Sequence, residues 1–86
     1  MTSMPQRDEV WYDLRPMTDR REWRDSSRFR RIVTVIHFEP NGFAEGKSAW
    51  QTRVGGVWTT MDYPAARYTR IRADAFVRRF LRVEAS

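Results

Sequence analysis

The stretch Arg28-Phe29-Arg30-Arg31-Ile32-Val33-Thr34-Val35-Ile36-His37-Phe38 constrains the fold more than any other part of the chain. Successive side chains of a strand point to opposite faces, and here the middle is apolar on both. Both faces must be covered, so this is expected to be a central strand. Its β-branched and aromatic residues suit a packed, pleated surface. Pro40-Asn41-Gly42 closes it, and Asn-Gly between two β segments is a strong hairpin signal.

The neighbouring segments read as more strands. Downstream, Phe43 to Val54 returns as a strand with small residues, Phe43-Ala44 and then Ser48 to Val54, with Gly46 expected to mark a bulge. Gly55-Gly56 is a second hairpin turn, Val57 to Met61 its returning strand, and Asp62 to Ala66 a connecting loop. Upstream, Glu9 to Arg15 alternates, with Val10, Tyr12 and Leu14 on one face and Trp11, Asp13 and Arg15 on the other; Pro16 ends it. Residues 17–27 are irregular and of mixed charge. They suit a short helix capped by Asp19 with Glu22 three residues on, or, preferably, an ordered surface loop anchored by Trp23. Residues 1–8 read as a flexible tail before a single domain at 9–84.

The last stretch, Thr69 to Val83, has two readings. As a helix, Asp74 caps it, and Phe76, Val77, Phe80, Leu81 and Val83 fall at helical spacing. Alternatively, Tyr68 to Arg72 is a strand, Ala73 to Val77 one tight turn, and Phe80 to Glu84 a final strand. The β character of the remainder favours the second reading.

Length and composition bound the function. The chain has 86 residues, which predicts one small domain, and no cysteine, which excludes disulfides, thiolate metal sites and a cysteine nucleophile. The longest apolar run, Ile32 to Ile36, is far below the roughly 18 residues of a membrane span. Charges at Arg7, Asp8 and Glu9 stand where a signal peptide would need an apolar core, so a soluble cytoplasmic protein is expected, with no membrane partner. Net charge is +5, and Lys47 is the only lysine among sixteen basic residues. Codon bias in a GC-rich genome accounts for much of that arginine. The charge itself still favours anionic partners.

A Trp-x-Asp-Leu-x-Pro opening, a basic entry into a β-branched strand, and Arg-x-Thr-Arg-Ile-Arg-x-x-x-Phe before the last strand give the chain a familiar pattern. In it, Trp11, Asp13, Leu14, Arg30 to Val35, Arg67, Thr69 to Arg72 and Phe76 resemble a family of small uncharacterised proteins of actinobacteriophages. The resemblance spans roughly residues 9–84, and the chain departs from it by a longer arginine-rich segment at 17–28. It implies a phage origin, with the cytoplasm of a bacterial host as location. It also implies a mostly β, SH3-like barrel of about five strands with one short helical turn before the last. It implies no reaction.

Two basic groups are candidate sites. The first is Arg67, Arg70, Arg72, Arg78 and Arg79; the plainer alternative is a solvated face paired to Asp62, Asp74 and Glu84. The second is Arg28, Arg30 and Arg31, preceded by Arg20, Arg21 and Arg24, which Asp19, Glu22 and Asp25 dilute. Trp58, Trp50, Tyr63 and Trp23 could stack bases, although such residues are more often core. His37 alone cannot hold a metal, and Ser26, Ser27 and Ser48 have no base partner, so neither an enzyme nor a cofactor is expected. The expected function is a small basic binding module for DNA or RNA, using Arg28, Arg30, Arg31, Arg67, Arg70, Arg72, Arg78, Arg79 and Trp58. The rival is a phage-encoded protein-interaction module that docks on a host or phage protein through Trp23, Arg20, Arg21 and Arg24. A third reading is self-association through an uncovered strand edge.

Overall fold

The computed structural model describes residues 4–84. It is mostly β, with strands β1 (Val10–Asp13), β2 (Phe29–Phe38), β3 (Phe43–Val54), β4 (Val57–Thr60), β5 (Arg67–Arg72) and β6 (Phe80–Arg82). A single α-helix, α1 (Ala73–Arg79), directly precedes the last strand, and a 3-10 turn at Arg21–Arg24 precedes β2. The strands form one antiparallel sheet in the order β4-β3-β2-β1-β6, with β5 also on β3. There are six strands rather than about five. The sheet does not close on itself, so it resembles a barrel only loosely.

β2 is central, as its two-sided apolar pattern requires. It pairs β1 on one side, from Val10↔Thr34 to Tyr12↔Ile32, and β3 on the other, from Phe29↔Thr52 to Phe38↔Ala44. β3 is long enough to carry two partners along one edge. Its first half pairs β5 through Phe43↔Arg72 to Ser48↔Arg67, and its end pairs β4 through Gln51↔Thr60 to Val54↔Val57.

The two turns differ in type. Gly55 and Gly56 have φ of 56° and 80°, the left-handed pair that a two-residue hairpin of primed type needs. The Asn41-Gly42 turn is wider: the Gly42 amide donates to the Glu39 carbonyl at 2.9 Å and the Glu39 amide to Phe43 at 3.0 Å. Pro40 and Gly42 occupy the second and fourth places, which suits a type I turn. Gly46 does mark a bulge, but the extra residue is on the partner strand. The register slips on β2, between Val35 and His37, so Ile36 is the extra residue. Gly46 lies opposite, where a Cβ would come within 2.7 Å of Val33 Cγ1 and closer still to the Thr34 carbonyl oxygen.

The core lies on the inner face. Trp11, Val33, Val35, Ala44, Phe76 and Phe80 form one buried cluster, flanked by Phe38 and Ile71. Phe76, fully buried, is its centre, with Phe80 stacked at 4.5 Å, Trp11 at 5.5 Å and Phe38 at 6.4 Å between ring centroids. The two readings of the C-terminal stretch thus each hold in part. Seven residues of helix aim Phe76 inward, and the chain then straightens to pair Phe80 with Asp13. Asp74 does not cap the helix; it lies in the first turn and accepts the Ala75 amide at 2.9 Å.

Residues 17–28 form an ordered loop around the 3-10 turn. Asp19 is not its cap: Arg20 holds the flanking position without a side-chain cap. Asp25 closes the loop, accepting the Ser27 amide at 3.0 Å and hydroxyl at 2.6 Å. The loop buries Trp23 against Trp50, 4.9 Å away, and Phe29, 5.9 Å away. Of the tail expected at residues 1–8, the first three lie outside the described residues. Pro5 is buried, and the Asp8 amide donates to the Val35 carbonyl at 2.8 Å.

Candidate nucleic-acid interface

The outer face of the sheet gathers arginine and aromatic side chains where β2 begins, β3 ends and β4 returns. Strand alternation places Arg30 of β2 and Gln51 and Arg53 of β3 on that face, and the Gly55-Gly56 hairpin sets Trp58 opposite Arg53. The Arg30 guanidinium lies 4.4 Å from the Trp58 ring centre and 5.3 Å from that of Tyr12; Arg53 lies 5.7 Å from Trp58. The Arg30 Nε donates to Gln51 Oε1 at 2.7 Å, and Gln51 Nε2 donates to Thr60 Oγ1 at 3.2 Å. This fixes the guanidinium plane and leaves its terminal nitrogens for another acceptor. Arg28 sits next along the chain, over Phe29 at 5.6 Å.

No carboxylate forms an ion pair with Arg28, Arg30 or Arg53 among the described residues. Partial burial pulls the Arg30 guanidinium below the usual arginine range; Tyr12 opposes this, and the charge of Arg53 reinforces it. Two like charges thus share one aromatic surface without compensation, an arrangement that favours an anion. A groove of about 530 Å³ adjoins them, lined among others by Tyr12, Arg15, Arg24, Phe29, Arg30 and Trp58.

The other arginines expected at a phosphate site are placed differently. Arg79 and Arg31 turn to Asp13, whose carboxylate is 0% exposed, at 2.7 and 3.5 Å. They are counter-ions of a buried charge. Burial is the main influence on Arg31, lowering its guanidinium below the usual value; Asp13 resists that shift. Arg72 and Arg78 flank Asp74 at 3.5 and 4.0 Å, and Arg70 lies 3.9 Å from Glu45 and over the Phe43 ring at 3.8 Å. Tyr68 also donates its hydroxyl to Glu45. Arg72 and Arg78 are thus brought together at Asp74, while α1 turns the adjacent Arg79 to Asp13 and Arg70 keeps to Glu45 on β3. Arg67 is exposed and lines a separate cavity with Arg20, Trp50 and Tyr63.

Trp23 is only 6% exposed, so it is not the surface anchor that a docking loop would need. Arg20 stacks over it at 4.7 Å and over Tyr63 at 5.4 Å, Arg24 donates to the Thr18 carbonyl at 3.3 Å, and Arg21 is exposed. The loop is held by interior aromatic contacts instead.

Of the residues expected at a nucleic-acid site, Arg28, Arg30 and Trp58 lie on this face; those beside them that were not among the expected ones are Arg53, Gln51 and Tyr12. The first two were within reach: a two-residue turn at Gly55-Gly56 dictates that Arg53 faces Trp58. Tyr12 was not, because nothing local announces that β1 pairs β2. Among the described residues, no cluster of three His, Asp or Glu side chains could hold a metal ion, and no helix is long and apolar enough to cross a membrane. No protein-family model, curated protein or solved structure matches the chain.

Proposed function

We propose that the protein is a small basic binding module whose ligand is DNA or RNA, held through arginine-phosphate contacts on the outer face of the sheet. The observation that carries this reading is the gathering of Arg30 and Arg53 at Trp58, with Arg28 across the strand pair from Arg53 and no carboxylate in an ion pair with any of the three among the described residues. Among the described residues Arg31, Arg70, Arg72, Arg78, Arg79 and Arg82 have acidic partners, whereas these three have none, which leaves their charge to an anion. Arginine-phosphate pairing of this kind releases counter-ions and makes binding steeply salt-dependent.

Fluorescence anisotropy of labelled oligonucleotides, titrated with salt, tests it. Replacing Arg28, Arg30 and Arg53 together by Gln is expected to lower the logarithmic salt slope by about 2 to 3, near one unit for each phosphate that is no longer neutralised. Arg70→Gln with Arg72→Gln is expected to change it far less. An unchanged slope in the triple variant would displace the site, and no binding even at low salt would reject nucleic acid as the ligand. In that second case the protein-interaction module, acting through an acidic partner surface, becomes the reading to pursue.

A further inference from the structure

The groove beside Trp58 combines two chemistries, and together they narrow the ligand of the interface proposed above. Tyr12, Phe29 and Trp58 give it aromatic walls, and its basic lining is Arg15, Arg24 and Arg30. Among the described residues, the only carboxylate along it belongs to Asp13, whose side chain is 0% exposed and turned to Arg31 and Arg79. An aromatic cleft with exposed guanidinium groups and no exposed acid suits a ligand that is flat in one part and anionic in the next. Its volume, about 530 Å³, lies within the range of small-ligand clefts.

A base in a duplex is stacked on both sides and offers only its edges to a protein. An unpaired nucleotide offers a whole ring, which aromatic side chains and guanidinium planes can stack, and a phosphate beside it. We infer that the groove seats an unpaired base of a single-stranded nucleic acid, with the neighbouring phosphates on Arg28 and Arg53. This rests on the nucleic-acid reading and adds strand state to it. Trp58 is the residue that discriminates: it is half-buried, it is held by two arginines, and it lines the groove from a short strand.

The test compares a labelled oligothymidylate with a duplex of equal length, using the wild type and Trp58→Ala at one salt concentration. The single strand is expected to bind more tightly. Trp58→Ala should weaken it by about 10- to 100-fold, the effect of losing one stacked base, and weaken the duplex several-fold less. Equal binding of both forms, untouched by Trp58→Ala, would overturn the groove assignment and leave the arginine-phosphate reading standing. Binding of neither form would overturn both. A second measurement serves if Trp58→Ala fails to fold: in the ¹H–¹⁵N spectrum of the wild type, the Trp58 indole signal should shift as the oligothymidylate is added. An indole unmoved at saturation would sink the inference. A thymidine monophosphate that moved it with the same affinity as the oligomer would reassign the groove to a free nucleotide.

Discussion

Asp13 is where the charge of the chain enters its interior. Its carboxylate accepts the Arg79 guanidinium at 2.7 Å and the Arg15 amide at 2.9 Å, with Arg31 at 3.5 Å. Removing a carboxylate from water is costly, and only such filling of its lone pairs offsets the cost. Asp13→Asn should therefore destabilise the fold by about 3 kcal/mol, because two guanidinium groups lose their partner. That is a large share of the roughly 5–15 kcal/mol available to a domain. Urea unfolding gives the figure, and an unmoved midpoint would show the cluster to be idle. Asp13 also marks the boundary of what could be read beforehand. Alternation along β1 places it beside Trp11 and Arg15 on one face. Nothing local indicates that Arg79, 66 residues away, is brought to it by α1. Two arginines therefore passed for phosphate ligands when they neutralise the core.

β3 shows which features of an element are legible and which are not. Its existence, its two flanking turns and the pairing with β2 all follow from glycine, proline and β-branched residues in series. Its span, Phe43 to Val54, was legible as well; what was not is which strand carries the bulge that Gly46 marks. Gly46 is there because β2 bulges at Ile36 and presses its backbone inward, which leaves no room for a side chain. Gly46→Ala should cost about 1–3 kcal/mol through that overlap, since the nearest atoms belong to backbone as well as to Val33. Thermal unfolding monitored by near-ultraviolet circular dichroism would register it. A variant as stable as the wild type would mean that β2 relaxes at the bulge without penalty. The C-terminal helix was ambiguous for a related reason. Phe76 and Phe80 fit helical spacing, yet Phe80 is already the first residue of a strand.

At the scale of the whole molecule, a basic surface surrounds an aromatic interior, and Glu9, Asp13, Glu45, Asp74 and Glu84 are each matched to an arginine. Glu9 is partly buried, which alone would raise its carboxyl. Hydrogen bonds from the Gln6 amide, Arg82 and Trp11 outweigh this and hold it below the usual glutamate value. Asp25 and Asp74 are lowered likewise, chiefly by bonds from Ser27 and the Ala75 amide. Groups whose folded values are depressed stabilise fully above their unfolded values, near pH 4, and the benefit goes as pH falls through the folded ones. Stability should be flat above about pH 5 with respect to these groups and fall below it, with a shallower fall in Glu9→Gln; chemical denaturation at stepped pH measures both. The shared edge of β3 has a separate consequence. β4 contributes no residue to the buried cluster and is held by four register pairs at the end of a neighbour that the rest of the sheet supports independently. Its amides can therefore exchange with solvent by local fraying while those of β2 wait for global unfolding. The part of the groove that bears Trp58 thus lies on a strand that can open locally, while the part on β2 lies on the central strand of the sheet.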